Sequence, residues 1–337
     1  MKLRVGINGF GRIGRGVFRA GFAQSDVEFV GINDVGDSKT MAHLLKYDSI
    51  HGKFSHDVDA SENHLKVGGK EIPIAKERDP ADIPWSEWNA DIVFECVGIF
   101  RTYELASKHL DGGAKRVILS APDKGKTKPI PAFVFGVNED KYNPENHKII
   151  SNASCTTNCY APVTKLIDES FTIKSGYMTT VHAYTTDQKL LDLPHGDLRR
   201  ARSATLSMIP TSTGAAKAVG KVLPHLEGKL QAMSIRVPTP NVSLIDAVYS
   251  VENKASKEEV NQVFVNASLG KLKGILAVSN EELVSSDYNG IPYSATVDLP
   301  LTMAFDNQIK IIAWYDNETG YSSRMIDLAR YIASKEG

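Results

Sequence analysis

The hexapeptide Gly9-Phe10-Gly11-Arg12-Ile13-Gly14 constrains this 337-residue chain more than any other stretch. A G-x-G-x-x-G pattern standing alone is weak. Here an apolar run at 3–7 (LRVGI) leads into it, and residues 12–23, with Ile13, Val17 and Ala20 at helical spacing, lead out. A second apolar run follows at 27–32 (VEFVGI), and Asp34 stands twenty residues past Gly14. That context predicts strand, turn, helix and strand carrying a dinucleotide fingerprint. Gly9 permits the tight turn, Gly11 lets backbone approach a pyrophosphate, and Gly14 lets helix pack on strand. The helix N-terminus then offers free N–H groups and partial positive charge to the phosphates. Asp34 is expected to accept hydrogen bonds from the adenine-ribose hydroxyls and to repel a 2′-phosphate, which favours NAD over NADP.

The alternation continues. Residues 91–96 (DIVFEC), 116–119 (RVIL), 133–137 (FVFGV) and 148–151 (KIIS) read as buried strands, and a helix is expected from an N-cap at Thr102 to a stop at Gly112–Gly113. Such repetition implies a parallel sheet covered on both faces. Residues 64–75 (HLKVGGKEIPIA) read instead as a hairpin at a sheet edge. After a helix beginning near Cys155 the pattern changes. Long strands are expected at 177–184, 230–237, 242–251 and 309–315, with a capping box, Ser256 and Glu259, opening a helix over 256–269. This points to an α+β second domain with a mixed or antiparallel sheet. Residues 185–210 show no period and read as a long loop that is functional or held by a partner. A last helix is expected at about 320–334.

A chain of this length exceeds what one core supports, in keeping with two domains. Its net charge of −1 gives no reason to expect a nucleic-acid or membrane-surface partner. Residues 1–9 (MKLRVGING) lack the apolar stretch of a signal peptide, and no apolar run approaches the roughly 18 residues that span a bilayer. Three cysteines do not make a disulfide framework, so a cytoplasmic location is expected.

Two of those cysteines, Cys155 and Cys159, stand four apart in 150–162 (ISNASCTTNCYAP). They supply two metal ligands at most, with Cys96 in a distant strand, so no metal is expected. A redox pair would read C-x-x-C. If 155–170 is helix, the sulfurs lie one turn apart and beyond easy bonding distance. One reactive thiol remains. Cys155 sits at the helix start, where the dipole favours thiolate, and Cys159 packs a turn inside as a small hydrophobe. His182, in 177–186 (YMTTVHAYTT), is either a satisfied polar core residue or the partner of Cys155; sequence leaves both open. Arg199, Arg200, Arg202 and Arg236, with 211–214 (TSTG) at another helix start, either hold phosphate oxygens or make surface and intersubunit ion pairs.

Taken together, VGINGFGRIGR, KYDSIHGKF, ERDPADIPW, SNASCTTNC, TTVHAYTTDQ, HGDLRRARSA, TSTGAAKAVGKVLP, RVPTPNVS and WYDNETGYS, in that order, closely resemble the phosphorylating glyceraldehyde-3-phosphate dehydrogenase family of bacterial type. The resemblance covers essentially the whole chain. It implies NAD-dependent oxidative phosphorylation of D-glyceraldehyde 3-phosphate to 1,3-bisphosphoglycerate through a cysteine thioester, in glycolysis. It makes Cys155 the nucleophile and His182 its base. Ser154, Thr156, Thr185, Arg200, Thr213, Gly214 and Arg236 match positions that bind the substrate phosphate and inorganic phosphate. Arg12, Ile13, Asp34, Arg78, Ser120 and Asn317 match cofactor contacts beside Gly9 and Gly11, with Asn317 fixing the nicotinamide carboxamide and Tyr321 packed nearby. The loop at 185–210 matches one that crosses to a neighbouring subunit, implying a homotetramer. The final helix, about 318–337, would complete an NAD-binding domain of residues 1–154, leaving 155–317 as the catalytic domain.

The chain departs from the family pattern at Val97, where a hydroxyl residue is usual, and at Tyr160, where leucine is usual; 124–133 reads as a variable surface loop. Erythrose-4-phosphate dehydrogenase is the nearest rival, but it usually lacks the TSTGAAKA segment. An NADP-using gluconeogenic form would alter Asp34 and the Leu193-Pro194 pair, and both are intact.

Overall fold

The computed structural model describes residues 2–335. Residues up to Phe133, Glu139–Ala153 and those from Ser322 onward form one compact unit; Val134–Asn138 and Ser154–Tyr321 form another.

In the first unit the fingerprint region folds as strand, turn, helix and strand: β1 (Leu3–Asn8), α1 (Arg12–Phe22) and β2 (Val27–Asn33). Next come α2 (Ser38–Lys46), the short pair β3 (Tyr47–Asp48) and β4 (Gly52–Lys53), and then β5 (Val58–Ala60), β6 (His64–Val67) and β7 (Lys70–Ala75). The unit continues with β8 (Ile92–Glu95), α3 (Tyr103–Ala106), α4 (Lys108–Asp111), β9 (Arg116–Leu119) and β10 (Ile149–Ser151). The sheet runs β10-β9-β8-β1-β2-β7-β6-β5. It is parallel from β10 to β7 and turns antiparallel through β6 and β5, so the predicted hairpin lies at an edge. β8 and β9 are buried along nearly their whole length, as covering on both faces demands.

Two glycines shape this sheet. A Cβ on Gly6 would lie 2.3 Å from the Trp85 ring, and one on Gly31 only 1.9 Å from Trp88. The missing Cβ atoms let two indoles in edge-to-face contact lie against adjacent strands, where larger side chains would force them off. On α1 the buried face is Gly14, Val17, Phe18, Gly21 and Phe22, so the stripe is turned from the expected Ile13–Val17–Ala20 line. The cause is an aromatic cluster in which Phe18 contacts Phe10, Phe22, Phe29 and Phe54.

Two expectations fail here. The helix predicted from Thr102 starts there, with Thr102 Oγ1 accepting the Leu105 N–H, and ends at Gly112, but it is divided into α3 and α4 at Ser107. The strand predicted at 133–137 does not form. Its apolar residues Phe133, Val134 and Val137 are buried, but Gly136 takes φ +86°. The Val137 N–H folds back to the Val134 carbonyl, and the Asn138 side chain takes the Val134 N–H. Hydrophobic content alone cannot separate a buried turn from a buried strand.

The second unit opens on α5 (Cys155–Phe171) and β11 (Ile173–Ala183), followed by β12 (Ile209–Ser212), α6 (Ala215–Val222), β13 (Leu230–Val237) and β14 (Ser243–Val251). It continues with α7 (Lys257–Leu269), β15 (Leu276–Ser279), β16 (Ala295–Asp298), β17 (Met303–Phe305) and β18 (Gln308–Tyr315). The sheet order is β12-β13-β11-β14-β18-β16-β15, with β17 on β18. β11 pairs in parallel with β13 and antiparallel with β14, a mixed sheet. The parallel register sets His182 beside Arg236. The predicted capping box at Ser256 and Glu259 starts α7. The short strands β12, β15, β16 and β17 were not expected; β12, β15 and β17 are mostly half-buried or exposed and lack the buried apolar run that marked the equally short β8 and β9.

Residues 189–208 hold no helix or strand beyond one bridge between Lys189 and Ser203. The last helix, α8 (Thr319–Ser334), buries Met325, Ile326, Leu328, Ala329 and Ile332, and its Ser322 hydroxyl occupies the space a Cβ on Gly16 would need. Arg330 pairs with Asp26 at 2.7 Å in the same unit. Positions 336 and 337 of the expected helix lie outside the described residues, as does Met1. No helix among the described residues is long and apolar enough to cross a membrane.

Candidate active site

The fingerprint turn sits at the C-terminal end of β1, beside a cleft of about 320 Å³ at the strand tips of the parallel sheet, the position where open α/β sheets bind ligands. Each glycine has a distinct reason to be there. Gly9 adopts φ +89°, and a Cβ on it would lie 2.7 Å from the Val97 nitrogen. A Cβ on Gly14 would strike the Gly9 carbonyl at 2.1 Å. Gly11 has nothing within 4 Å of where its Cβ would be, so no protein atom demands glycine there. The open space lies at the N-terminus of α1, where an anionic group is favoured. Asp34 spans the turn, with Oδ2 accepting the Phe10 N–H at 2.7 Å and Oδ1 the Gly36 N–H at 2.8 Å. The donor set and the cradle fit a dinucleotide.

Of the predicted cofactor residues, Gly9, Gly11, Asp34 and Arg78 line this cleft. Arg12 is bonded instead to Asp48 at 2.6 Å, an interaction that holds the Asp48 carboxyl down at about 2 despite burial. Ile13 is half-buried in α1, and Ser120 stands just past β9, its backbone N–H donating to the Glu95 carbonyl at 2.9 Å. Asn317 belongs to the second unit. Its Oδ1 accepts the Ser243 hydroxyl at 3.0 Å, and that hydroxyl in turn accepts the Ala183 N–H, next to His182. Asn8, Asn33, Glu77 and Cys96 also line the cleft and were not singled out from sequence. The available signal was their place at the ends of parallel strands or just past them.

In the second unit Cys155 is the first residue of α5, and Ser154 is the cap, its Oγ accepting the Thr157 N–H at 3.2 Å. Cys155 Sγ lies 3.5 Å from His182 Nε2, at the end of β11. His182 Nδ1 is 2.6 Å from the Ala183 carbonyl. A carbonyl can only accept, and this 2.6 Å bond outweighs the 3.3 Å approach of Arg236 Nη1 to the same nitrogen, so Nδ1 carries the proton and Nε2 faces the sulfur with a free lone pair. Arg236 reaches the same carbonyl at 3.3 Å and Thr185 Oγ1 at 3.2 Å. Burial, helped by the Arg236 charge, lowers His182 to about 3. Burial also pushes the Cys155 thiol up, against the opposing pull of Arg236 and of the Thr156 N–H. The expected activation of the thiol by the helix end is therefore outweighed by desolvation in this state.

Cys159 is fully buried and its thiol is pushed well up by burial; its sulfur faces the Ala313 carbonyl at 4.0 Å. Thr156 turns inward, its hydroxyl 2.9 Å from the Tyr315 hydroxyl, which also meets Thr180 at 2.8 Å. Tyr315 therefore braces the start of α5 against β11, a role with no spacing signature in sequence. Arg200 is engaged by Asp187 at 2.8 Å, Thr211 at 3.0 Å and the Ser212 carbonyl at 3.1 Å, which places it beside the segment leading to Thr213 and Gly214. Gly214 caps α6 with open space where a Cβ would stand, and Thr213 Oγ1 accepts the Ala215 N–H. Among the described residues Arg236 forms no ion pair with a carboxylate, and its buried Nε has no partner. A half-buried cation without a counter-charge is suited to an anionic ligand.

Two family profiles match the chain. One is described as glyceraldehyde 3-phosphate dehydrogenase, NAD binding domain, over residues 3–103, and the other as glyceraldehyde 3-phosphate dehydrogenase, C-terminal domain, over 154–317. Among characterised relatives, glyceraldehyde-3-phosphate dehydrogenase of Geobacillus stearothermophilus is 57% identical over 99% of both chains. The Bacillus cereus protein named glyceraldehyde-3-phosphate dehydrogenase 1 is 54% identical over 98% of this chain and 99% of its own. The Streptomyces coelicolor enzyme is 53% identical over 99% of this chain and 100% of its own.

Proposed function

The chain belongs to the glyceraldehyde-3-phosphate dehydrogenase family, and on that footing we propose that Cys155 is its nucleophile and His182 the base that serves it. The protein is an NAD-dependent oxidoreductase that acts on glyceraldehyde 3-phosphate in glycolysis. The observation that carries the residue assignment is the 3.5 Å approach of Cys155 Sγ to the unprotonated Nε2 of His182.

The sulfur attacks the aldehyde carbon as His182 Nε2 takes the thiol proton, giving a hemithioacetal on Cys155. The Cys155 backbone N–H and the protonated His182 are donors for the oxygen that gains charge. Bound NAD would accept a hydride from the hemithioacetal carbon. His182 Nε2, free again once it has handed the thiol proton to the adduct oxygen, takes the hydroxyl proton, and the adduct becomes a thioester. Inorganic phosphate then attacks the thioester carbonyl, and the Cys155 sulfur leaves with the acyl group on phosphate as 1,3-bisphosphoglycerate. A thioester keeps the oxidation energy that a free carboxylic acid would lose. Arg200, Arg236, Thr185, Thr213, Gly214, Ser154 and Thr156 are assigned to the two phosphates; the unpaired Arg236 charge and its bond to Thr185 support this. Gly9, Gly11, Arg12, Ile13, Asp34, Arg78, Ser120 and Asn317 are assigned to NAD, with an NAD-binding domain of 1–154 completed by the last helix.

We further place the enzyme in the cytoplasm as a homotetramer. The exposed leucines of the 189–208 loop support assembly, since Leu190, Leu198 and Leu206 are 71%, 83% and 80% exposed.

Cys155→Ser is expected to lower phosphate-dependent NADH formation by about three orders of magnitude or more, and Cys159→Ser to leave it within about threefold. Equal loss in both variants would remove Cys155 from the assigned role. Turnover compared on glyceraldehyde 3-phosphate and erythrose 4-phosphate, and KM compared for NAD and NADP, separates the rival readings.

A further inference from the structure

Glu95 closes β8 with its carboxyl group buried, 1% exposed, and among the described residues no Lys or Arg forms an ion pair with it. Such a group is tolerated only when donors saturate it. Oε1 accepts the backbone N–H groups of Val97 at 2.7 Å and Gly98 at 3.3 Å. Oε2 lies 2.6 Å from Asn8 Nδ2 and 2.9 Å from His109 Nε2.

The directions of these bonds follow from groups that can act in one way only. On one side the Trp85 indole N–H, which can only donate, points at His109 Nδ1 at 3.1 Å. Nδ1 is therefore the acceptor, and the ring proton sits on Nε2 and points to Glu95. On the other side the Glu77 backbone N–H donates to Asn33 Oδ1 at 2.8 Å. The Asn33 amide then donates, to the Glu77 carbonyl at 2.9 Å and to Asn8 Oδ1 at 2.8 Å. That leaves the Asn8 amide to donate to Glu95. Two donor chains, each anchored by an obligatory donor, run toward a single acceptor. A protonated Glu95 would oppose one of them.

Four residues held by these chains, Asn8, Asn33, Glu77 and Val97, line the cofactor cleft. The Val97 nitrogen is also the nearest atom, at 2.7 Å, to where a Cβ of Gly9 would be, so Glu95 holds a neighbour against which the fingerprint turn packs. The network thus ties the tips of β1, β2 and β8 into one surface under the dinucleotide site.

We propose that Glu95 is a positioning residue for the dinucleotide: an ionised, buried carboxylate whose four N–H bonds hold the walls of the cofactor cleft, with His109, protonated on Nε2 alone, as its obligatory partner. The proposal rests on NAD being the ligand of this cleft. In Glu95→Gln the shape is kept, but one carboxylate oxygen becomes an NH2 group facing N–H donors, which breaks one chain. His109→Gln retains a donor for Glu95 and an acceptor for Trp85, whereas His109→Phe retains neither.

The test is calorimetric titration of NAD into the full-length protein and its variants, with steady-state kinetics alongside. Glu95→Gln and His109→Phe are expected to bind NAD at least about tenfold more weakly and to raise the KM for NAD by a similar factor, while the KM for glyceraldehyde 3-phosphate stays within about twofold. His109→Gln is expected to stay within about threefold of the wild type. Wild-type affinity in Glu95→Gln, or equal damage in both His109 variants, overturns the proposal. Absence of NAD binding by the wild type would instead overturn the cofactor reading on which it rests. Nitrogen-15 NMR of histidine-labelled wild type needs no variant to fold: His109 is expected as the Nε2–H tautomer, and an Nδ1–H tautomer or an imidazolium near neutral pH overturns the proposal.

Discussion

At the Cys155–His182 pair, burial raises the thiol and lowers the imidazole to about 3, which favours the proton on sulfur and both partners uncharged. On the proposed roles, burial leaves the imidazole lone pair free to act as base and keeps the sulfur protonated until substrate arrives. This arrangement has a consequence for stability. His182 in the unfolded chain takes up a proton near pH 6.5, but in the folded protein only near 3, so between those values unfolding binds a proton and acid favours it. The stabilisation is complete above pH 6.5 and is lost as pH falls toward 3, at a limiting slope of about 1.4 kcal/mol per pH unit. The gap in Tm between wild type and His182→Asn, followed from pH 7 to 4, is therefore expected to shift steadily in favour of the variant. Parallel curves would show that His182 titrates alike in both states. Both residues were visible as candidates in the sequence. Their 3.5 Å approach was not, because α5 and β11 bring together positions 27 apart along the chain.

At the scale of elements, helix starts were legible where a side-chain cap stands, and strand bounds where an apolar run is unbroken, even a short one. Ser154 caps α5, Thr102 caps α3, and Ser256 with Glu259 forms a reciprocal box on α7, all from local chemistry. The strand at 116–119 and the strand at 230–237 match their predicted bounds. The run at 133–137 misled, since its burial comes from a turn stitched by Asn138 rather than from pairing. The divided helix at Ser107 likewise left no mark in spacing or composition. Because the Ser256 box is exposed and separate from the catalytic residues, Ser256→Ala is expected to destabilise the protein by about 1 kcal/mol, read as a lower urea midpoint, with unchanged turnover. An unaltered midpoint would mean that α7 is held by packing alone.

For the whole molecule, the exposed leucines of the 189–208 loop are a feature that the proposed assembly would cover. Leu198 and Leu206 are far more open than apolar side chains of a stable surface usually are in such density. If the proposed tetramer forms through this loop, Leu198→Asp combined with Leu206→Asp is expected to move sedimentation toward smaller species, because charge would be buried at the interface. Unchanged sedimentation would place the interface elsewhere. The sequence identified the loop by its length and lack of period, and a resemblance supplied its meaning.

What the sequence alone determined was chemistry and local grammar. It specified the fingerprint glycines, the acid at Asp34, the thiol at a helix start, the caps, and a parallel sheet followed by a mixed one. These follow from neighbours within a few turns of chain, where spacing carries the physics. Tertiary structure decided which groups meet and which form each takes. It set His182 against Cys155 with a bare Nε2, turned Thr156 toward Tyr315, left Arg236 without a counter-charge, and gathered Asn8, Val97, Gly98 and His109 around Glu95. Protonation and hydrogen-bond direction depend on burial and on partners distant in sequence, and only folding supplies either.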